Sequence, residues 1–151
     1  MDDLRDLYQA TILDHNKRPR NFGELATANH VADGHNPLCG DQLRVHVRVG
    51  SNGGVEDIAF EGSGCAISTA SASLMTEFVK NLSREEVDDA FESFHDLVTR
   101  GPDDEVDIRS LDKLAVFSGV REYPMRVKCA TLAWHTLRAA LENSGQTAVT
   151  E

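Results

Sequence analysis

The sequence predicts an α+β fold, a small antiparallel sheet of about three strands with helices packed mainly on one face. Three observations point there. Residues 42–49 alternate, with Leu43, Val45, Val47 and Val49 on one side and Gln42, Arg44, His46 and Arg48 on the other, the period of a half-buried strand. The turn Gly50-Ser51-Asn52-Gly53-Gly54 and a second apolar segment, Val55 to Glu61, close a hairpin. Beyond that hairpin the apolar residues recur at helical spacing and strands do not alternate with helices, which argues for an α+β layer rather than a parallel sheet.

The elements follow in order. Asp3 to His15 reads as an amphipathic helix with Leu4, Leu7, Tyr8, Ile12 and Leu13 on or near one face. It runs into the breaker-rich stretch His15-Asn16-Lys17-Arg18-Pro19-Arg20-Asn21-Phe22-Gly23. A short strand is expected around His30 to Ala32, ahead of the hairpin. After Gly62-Ser63-Gly64-Cys65 a helix carries Ile67, Ser71, Leu74, Phe78 and Leu82 on one stripe. The small residues of its first turns let it lie close to the sheet or to another backbone. Ser83-Arg84-Glu85-Glu86 matches a capping box, so a further helix starts there and buries Val87, Ala90, Phe91, Phe94, Leu97 and Val98 before Gly101-Pro102 stops it. An acidic loop at 103–110 precedes a short helix over Leu111 to Phe117. The last helix covers Cys129 to Glu142, with a start a few residues earlier, near Pro124, also compatible. The reading is thus one domain over residues 1–142 and a flexible tail over 143–151.

Composition narrows the function classes. With 40% hydrophobic and 26% charged residues the chain is ordinary for a globular protein, and no apolar run has the length of a membrane span. The first residues, Met1-Asp2-Asp3, lack a basic region and an apolar signal core, so a cytoplasmic location is expected. A formal net charge of -10 argues against nucleic-acid binding, which needs basic surface to displace counterions. Ten acidic residues against Arg84 and Arg100 give the segment 83–107 a balance of -8, leaving -2 for the rest. Such a run is either a solvated helix face or a docking surface for a partner.

The chain has three cysteines, an odd count that does not suit a disulfide framework in a reducing compartment. Cys39 sits in the loop entering a strand, Cys65 at a loop-to-helix junction, and Cys129 at or near the first turn of the last helix. A helix N-terminus favours thiolate, and Arg126 and Lys128 push Cys129 the same way. Asp41 stands two residues after Cys39, so in an extended segment both point to one side. Three thiolates and a carboxylate form a four-coordinate set that suits zinc. The spacing has no C-x-x-C pair, however, and scattered structural cysteines satisfy the same pattern. Of the histidines, His46, His95 and His135 read as surface residues, while His30 and His35 flank the Cys39 loop.

Three segments in order carry a family resemblance: Asn36-Pro37-Leu38-Cys39-Gly40-Asp41, Gly62-Ser63-Gly64-Cys65 through Ser73, and Lys128-Cys129-Ala130-Thr131-Leu132-Ala133-Trp134. With Ile12-Leu13-Asp14-His15 and Pro19-Arg20-Asn21-Phe22-Gly23 they resemble the U-type iron–sulfur assembly family, IscU- and NifU-like, over about residues 4–142. The resemblance implies a SufE/IscU-like fold and a metal site of Cys39, Asp41, Cys65 and Cys129. Its IscU scaffold branch usually carries a histidine before the third cysteine and a Leu-Pro-Pro-Val-Lys stretch. Here those places hold Lys128 and Glu122-Tyr123-Pro124-Met125-Arg126, and the segment between Leu82 and Cys129 is long. These features are similar to the SufU branch, and Arg126 resembles that branch's arginine near the site, a possible partner or site contact.

What the resemblance implies is a zinc-dependent sulfurtransferase that takes persulfide sulfur from a SufS-type cysteine desulfurase and feeds downstream iron–sulfur assembly machinery. Cys39, on a Pro/Gly-flanked loop, is the expected sulfur acceptor, because Cys65 and Cys129 are held at helix starts. A histidine of the desulfurase would take the position Cys39 leaves, while Asp41, Cys65 and Cys129 keep Zn2+. Two other readings stand beside this one. The first is a scaffold on which an iron–sulfur cluster is assembled, for which cysteine ligands serve as well. The second is a non-catalytic zinc-stabilised interaction domain.

Overall fold

Three strands in succession make the body of the sheet: β1 His30–Asn36, β2 Asp41–Val49 and β3 Val55–Ser63, each antiparallel to the next. They belong to a computed structural model that describes residues 2–100, 112–143 and 147–150. The alternation of β2 buries Leu43, Val45 and Val47, and the β3 residues opposite, Ile58 and Phe60, face the same way. The Gly50–Gly54 turn closes on a Gly50 N–H to Gly54 carbonyl bond of 2.9 Å. β1 is longer than the expected strand at His30 to Ala32, because every residue from His30 to Asn36 has a partner on β2.

The sheet has four strands and is mixed, where about three antiparallel strands were expected. Ala148–Val149 form β4, parallel to β1, in the order β3-β2-β1-β4. Two residues are too few to show a strand period in sequence; the open edge of β1 specifies them. The Thr150 N–H donates to the His35 carbonyl at 3.1 Å, and the Thr150 hydroxyl to the Lys128 carbonyl at 3.2 Å. Residues 148–150 therefore form a strap over β1, not the free tail expected of 143–151; of that segment, residues 144–146 and 151 lie outside the described residues.

Helix α1 spans Asp2–Lys17, α2 Ala66–Val79, α3 Arg84–Thr99 and α4 Pro124–Glu142, with a 3-10 helix over Asp112–Glu122. α2 stops at Val79 rather than running to Leu82, since Asn81 turns left-handed with φ 72°. α3 starts on the expected capping box: Ser83 Oγ accepts from the Glu86 N–H and the Glu86 carboxylate from the Ser83 N–H. The acidic loop expected at 103–110 lies outside the described residues. The core joins Val45, Val47, Ile58 and Phe60 to Met75 of α2 and Leu132, Trp134 and Leu137 of α4. Phe94 stacks on Trp134 with ring centroids 5.0 Å apart and meets Phe117 edge-on, tying α3 and the 3-10 helix to α4. Among the described residues no helix is long and apolar enough to cross a membrane.

The small residues of α2 place the site. Ser71, fully buried, donates to the Ala130 carbonyl of α4 at 2.5 Å, so the two backbones lie close. Ser73 accepts from the Arg20 N–H at 2.8 Å and pairs with His15 Nδ1 at 2.7 Å, which fixes α1 and the following loop against α2. The start of α2, the second turn of α4 and the β1–β2 loop thereby come to one end of the sheet.

Candidate metal centre

The pairing of Asn36 with Asp41 closes the β1–β2 hairpin and leaves Pro37, Leu38, Cys39 and Gly40 as its loop. Gly40 takes φ +72°, which its missing side chain permits, and Cys39 beside it is exposed. Asp41, the first residue of β2, is fully buried. Its Oδ1 accepts the Cys65 N–H at 2.8 Å, while its Oδ2 has longer contacts, 3.4 Å to Asn36 Nδ2 and 4.0 Å to Cys65 Sγ. A buried carboxylate needs strong donors or a cation, and Oδ2 is the under-served oxygen. Gly64 makes the approach possible: a Cβ there would stand 2.6 Å from Asp41 Oδ1.

Cys65 is the N-cap of α2, its sulfur accepting from the Ser68 N–H at 3.4 Å. Cys129 is 2% exposed, and its sulfur lies 3.3 Å from that of Cys39. One ligand atom each from Cys39, Asp41 and Cys129 lie within 4.8 Å of one another. Cys65 is outside that group and adjoins it through Asp41. Two thiols, a buried carboxylate with a poorly served oxygen and a third thiol beside it are the donor chemistry of a zinc site, so these residues fit the ion.

Cys129 differs from its expected setting. α4 begins at Pro124, which puts Cys129 in the second turn, where the helix dipole is weaker. Arg126 is exposed, its guanidinium 4.7 Å from the centroid of the Tyr123 ring. Burial pushes the Cys129 thiol up, and hydrogen bonds with Cys39 and Cys65 reinforce it. Without a cation Cys129 is thus a protonated, inert thiol; a metal that displaces its proton reverses this.

A groove of about 930 Å³ opens beside the cysteines, between α1, the 3-10 helix and the starts of α2 and α4. Tyr8, Ile12, Leu13, Val120 and Met125 line it, with Arg126. Leu13, expected on the inward stripe of α1, is 51% exposed. Of the histidines, His46 is buried with Nε2 3.8 Å from the Glu61 carboxylate, contrary to a surface reading, and His135 packs edge-on against Phe91. His30 pairs with Asn29. The sequence reading assigned no role to Asn36, whose amide reaches both Asp41 and Cys129; its place between a strand and Pro37 was the available signal.

A family model described as the NifU-like N-terminal domain matches residues 7–130. The chain belongs to that family. It is 41% identical over 135 residues to the zinc-dependent sulfurtransferase SufU of Bacillus subtilis (strain 168), spanning 89% of this chain and 88% of that one. It is 39% identical over 141 residues to the iron–sulfur cluster assembly scaffold protein IscU of Streptococcus pyogenes serotype M1, spanning 93% and 86%. Among solved structures, the N-terminal part of a nitrogen-fixing NifU-like protein from Brucella abortus superimposes with a TM-score of 0.78 at 27% identity, over 91% of this chain and 93% of that one. The NifU-like family thus joins relatives named as scaffolds and one named as a sulfurtransferase, and this chain resembles both at similar identity.

Proposed function

We propose that the chain is a zinc-dependent sulfurtransferase that accepts persulfide sulfur on Cys39 from a SufS-type cysteine desulfurase, for iron–sulfur cluster assembly. One observation carries the reading: two sulfurs 3.3 Å apart differ in access, Cys39 exposed on a loop and Cys129 buried in a helix. Asp41, Cys65 and Cys129 would hold the ion as fixed ligands, and Cys39, on its exposed loop, would be the fourth and releasable one. Zinc, when bound, keeps the ligand thiols deprotonated near neutral pH.

In the transfer the Cys39 thiolate attacks the outer sulfur of the desulfurase persulfide. A new S–S bond forms on Cys39, the S–S bond of the donor breaks, and the donor cysteine leaves as thiolate, with no net oxidation. The apolar groove beside Cys39, rimmed by exposed Leu13, Tyr123 and Met125, is the surface the desulfurase covers. Arg126, at the groove, contacts the partner there. A cytoplasmic setting keeps the three thiols reduced.

Metal analysis of the purified chain together with cysteine turnover by the desulfurase tests this. Zinc as purified and faster turnover support the relay. The scaffold reading is favoured by the same three thiols and by the IscU relative; it predicts coloured protein carrying iron and sulfide. Zinc without stimulation leaves an interaction domain.

A further inference from the structure

Resting on the metal-centre reading above, we infer that Asn36 is the positioning residue of the site: its amide clamps Asp41 and Cys129 as a fixed pair and tethers the loop from which Cys39 moves. Asn36 is fully buried at the end of β1, directly opposite Asp41 in the sheet register. Its Nδ2 lies 3.4 Å from Asp41 Oδ2 and 3.6 Å from Cys129 Sγ, and its Oδ1 accepts the Leu38 N–H at 3.3 Å. The amide orientation is set by these partners. Turned over, its oxygen would face the Asp41 carboxylate and its NH2 would face the Leu38 N–H.

The chemistry explains the residue type. An amide offers two N–H donors without charge, so it can serve a carboxylate and a sulfur together while adding nothing to the negative charge of three thiolates and a carboxylate. Two ligands touch Asn36, whereas Cys39 is coupled to it through the backbone of the loop, one residue beyond Leu38. The clamp therefore holds Asp41 and Cys129 in place when Cys39 swings out. Outer partners of this kind set ligand orientation and, when removed, lower metal affinity about 10–100-fold.

Asn36→Asp tests the clamp, since it keeps the shape, removes both donors and sets a carboxylate against Asp41. In the full chain, zinc affinity by chelator competition should fall by at least about ten-fold. The cobalt(II)-substituted protein should change its thiolate charge-transfer bands, and Cys39 in zinc-loaded protein should alkylate faster with iodoacetamide. Asn36→Asp with parental zinc affinity and an unchanged cobalt spectrum overturns the inference. An effect proportional only to lost thermal stability overturns it too. Should the variant not fold, the parent decides: the Asn36 side-chain amide resonances must shift on zinc addition and exchange slowly with water. Free-amide shifts with fast exchange in the loaded protein defeat the proposal. A parent chain that binds no zinc would instead sink the metal-centre reading itself.

Discussion

The sulfurs of Cys39 and Cys129 lie 3.3 Å apart, yet one belongs to an exposed loop and the other to a helix residue 2% exposed. That contrast divides the site into a part that moves and a part that stays. Cys39→Ala should accordingly abolish sulfur acceptance and leave the fold intact, because the side chain is exposed and its loop is closed by backbone pairing of β1 with β2. Desulfurase turnover and circular dichroism on one preparation check this; near-normal transfer by the variant removes Cys39 from the mechanism.

Asp41→Ala, Cys65→Ala and Cys129→Ala should each release zinc and lower thermal stability, since a site built from three separate elements couples metal binding to folding. Cys129→Ala also leaves a small buried gap, so its stripped form should be somewhat less stable than the stripped parent. Metal content by mass spectrometry and melting curves with and without chelator decide it. Unchanged zinc in all three variants refutes the ligand set.

Gly64→Ala reaches the same centre without touching a ligand. A Cβ at that position would stand 2.6 Å from Asp41 Oδ1, and the β2 backbone limits how far Asp41 can retreat. Zinc affinity should drop while α2 still forms on its Cys65 cap. Parental affinity in a folded variant would show that Asp41 has more room than the packing allows.

His15 gives the fold a pH dependence away from the metal. It is 3% exposed, and burial lowers its pKa below the usual histidine value, with the Arg20 charge acting in the same direction. Below about pH 6.5 the unfolded chain binds a proton that the folded His15 resists, so stability falls as pH drops through the lower folded value. His135 shifts the same way by burial. Urea unfolding of chelator-stripped protein should show the acid-side loss, reduced in slope in His15→Gln. An identical slope in that variant assigns the loss elsewhere.

Ser83→Ala is the structural control. It removes the Ser83 Oγ that accepts the Glu86 N–H, leaves the Ser83 N–H to Glu86 carboxylate bond in place, and should cost about 1 kcal/mol. For a chain of this size that is about 2–4 °C in melting temperature, read by calorimetry. Zinc binding should not change; a loss of zinc would mean that α3 couples to the site in a way its packing does not indicate.

Much of this was legible from local patterns. The β2–β3 hairpin follows from the alternation of Leu43, Val45 and Val47 around a glycine turn, and α3 from Ser83 and Glu86. The proximity of Cys39, Asp41 and Cys129 had its basis in a resemblance, because no local spacing encodes a meeting between one hairpin loop and a helix ninety residues away. β4 was not legible: two residues have no period, and the edge of β1 recruits them. Nor was the raised Cys129 thiol, since Arg126 and Lys128 are neighbours in sequence while burial is set by Ser71 and the sheet. Leu13 fell on the apolar stripe of α1 but lines the open groove, because a helix stripe wider than its core contact leaves one edge to solvent.

The central claim meets its most direct test in a mapping of where sulfur lands. Zinc-loaded chain, incubated with a SufS-type desulfurase and cysteine, then trapped by alkylation and digested, should carry its added sulfur on the Cys39 peptide, with zinc still bound. Sulfur on the Cys65 or Cys129 peptide, or zinc lost in step with sulfur uptake, would contradict the account.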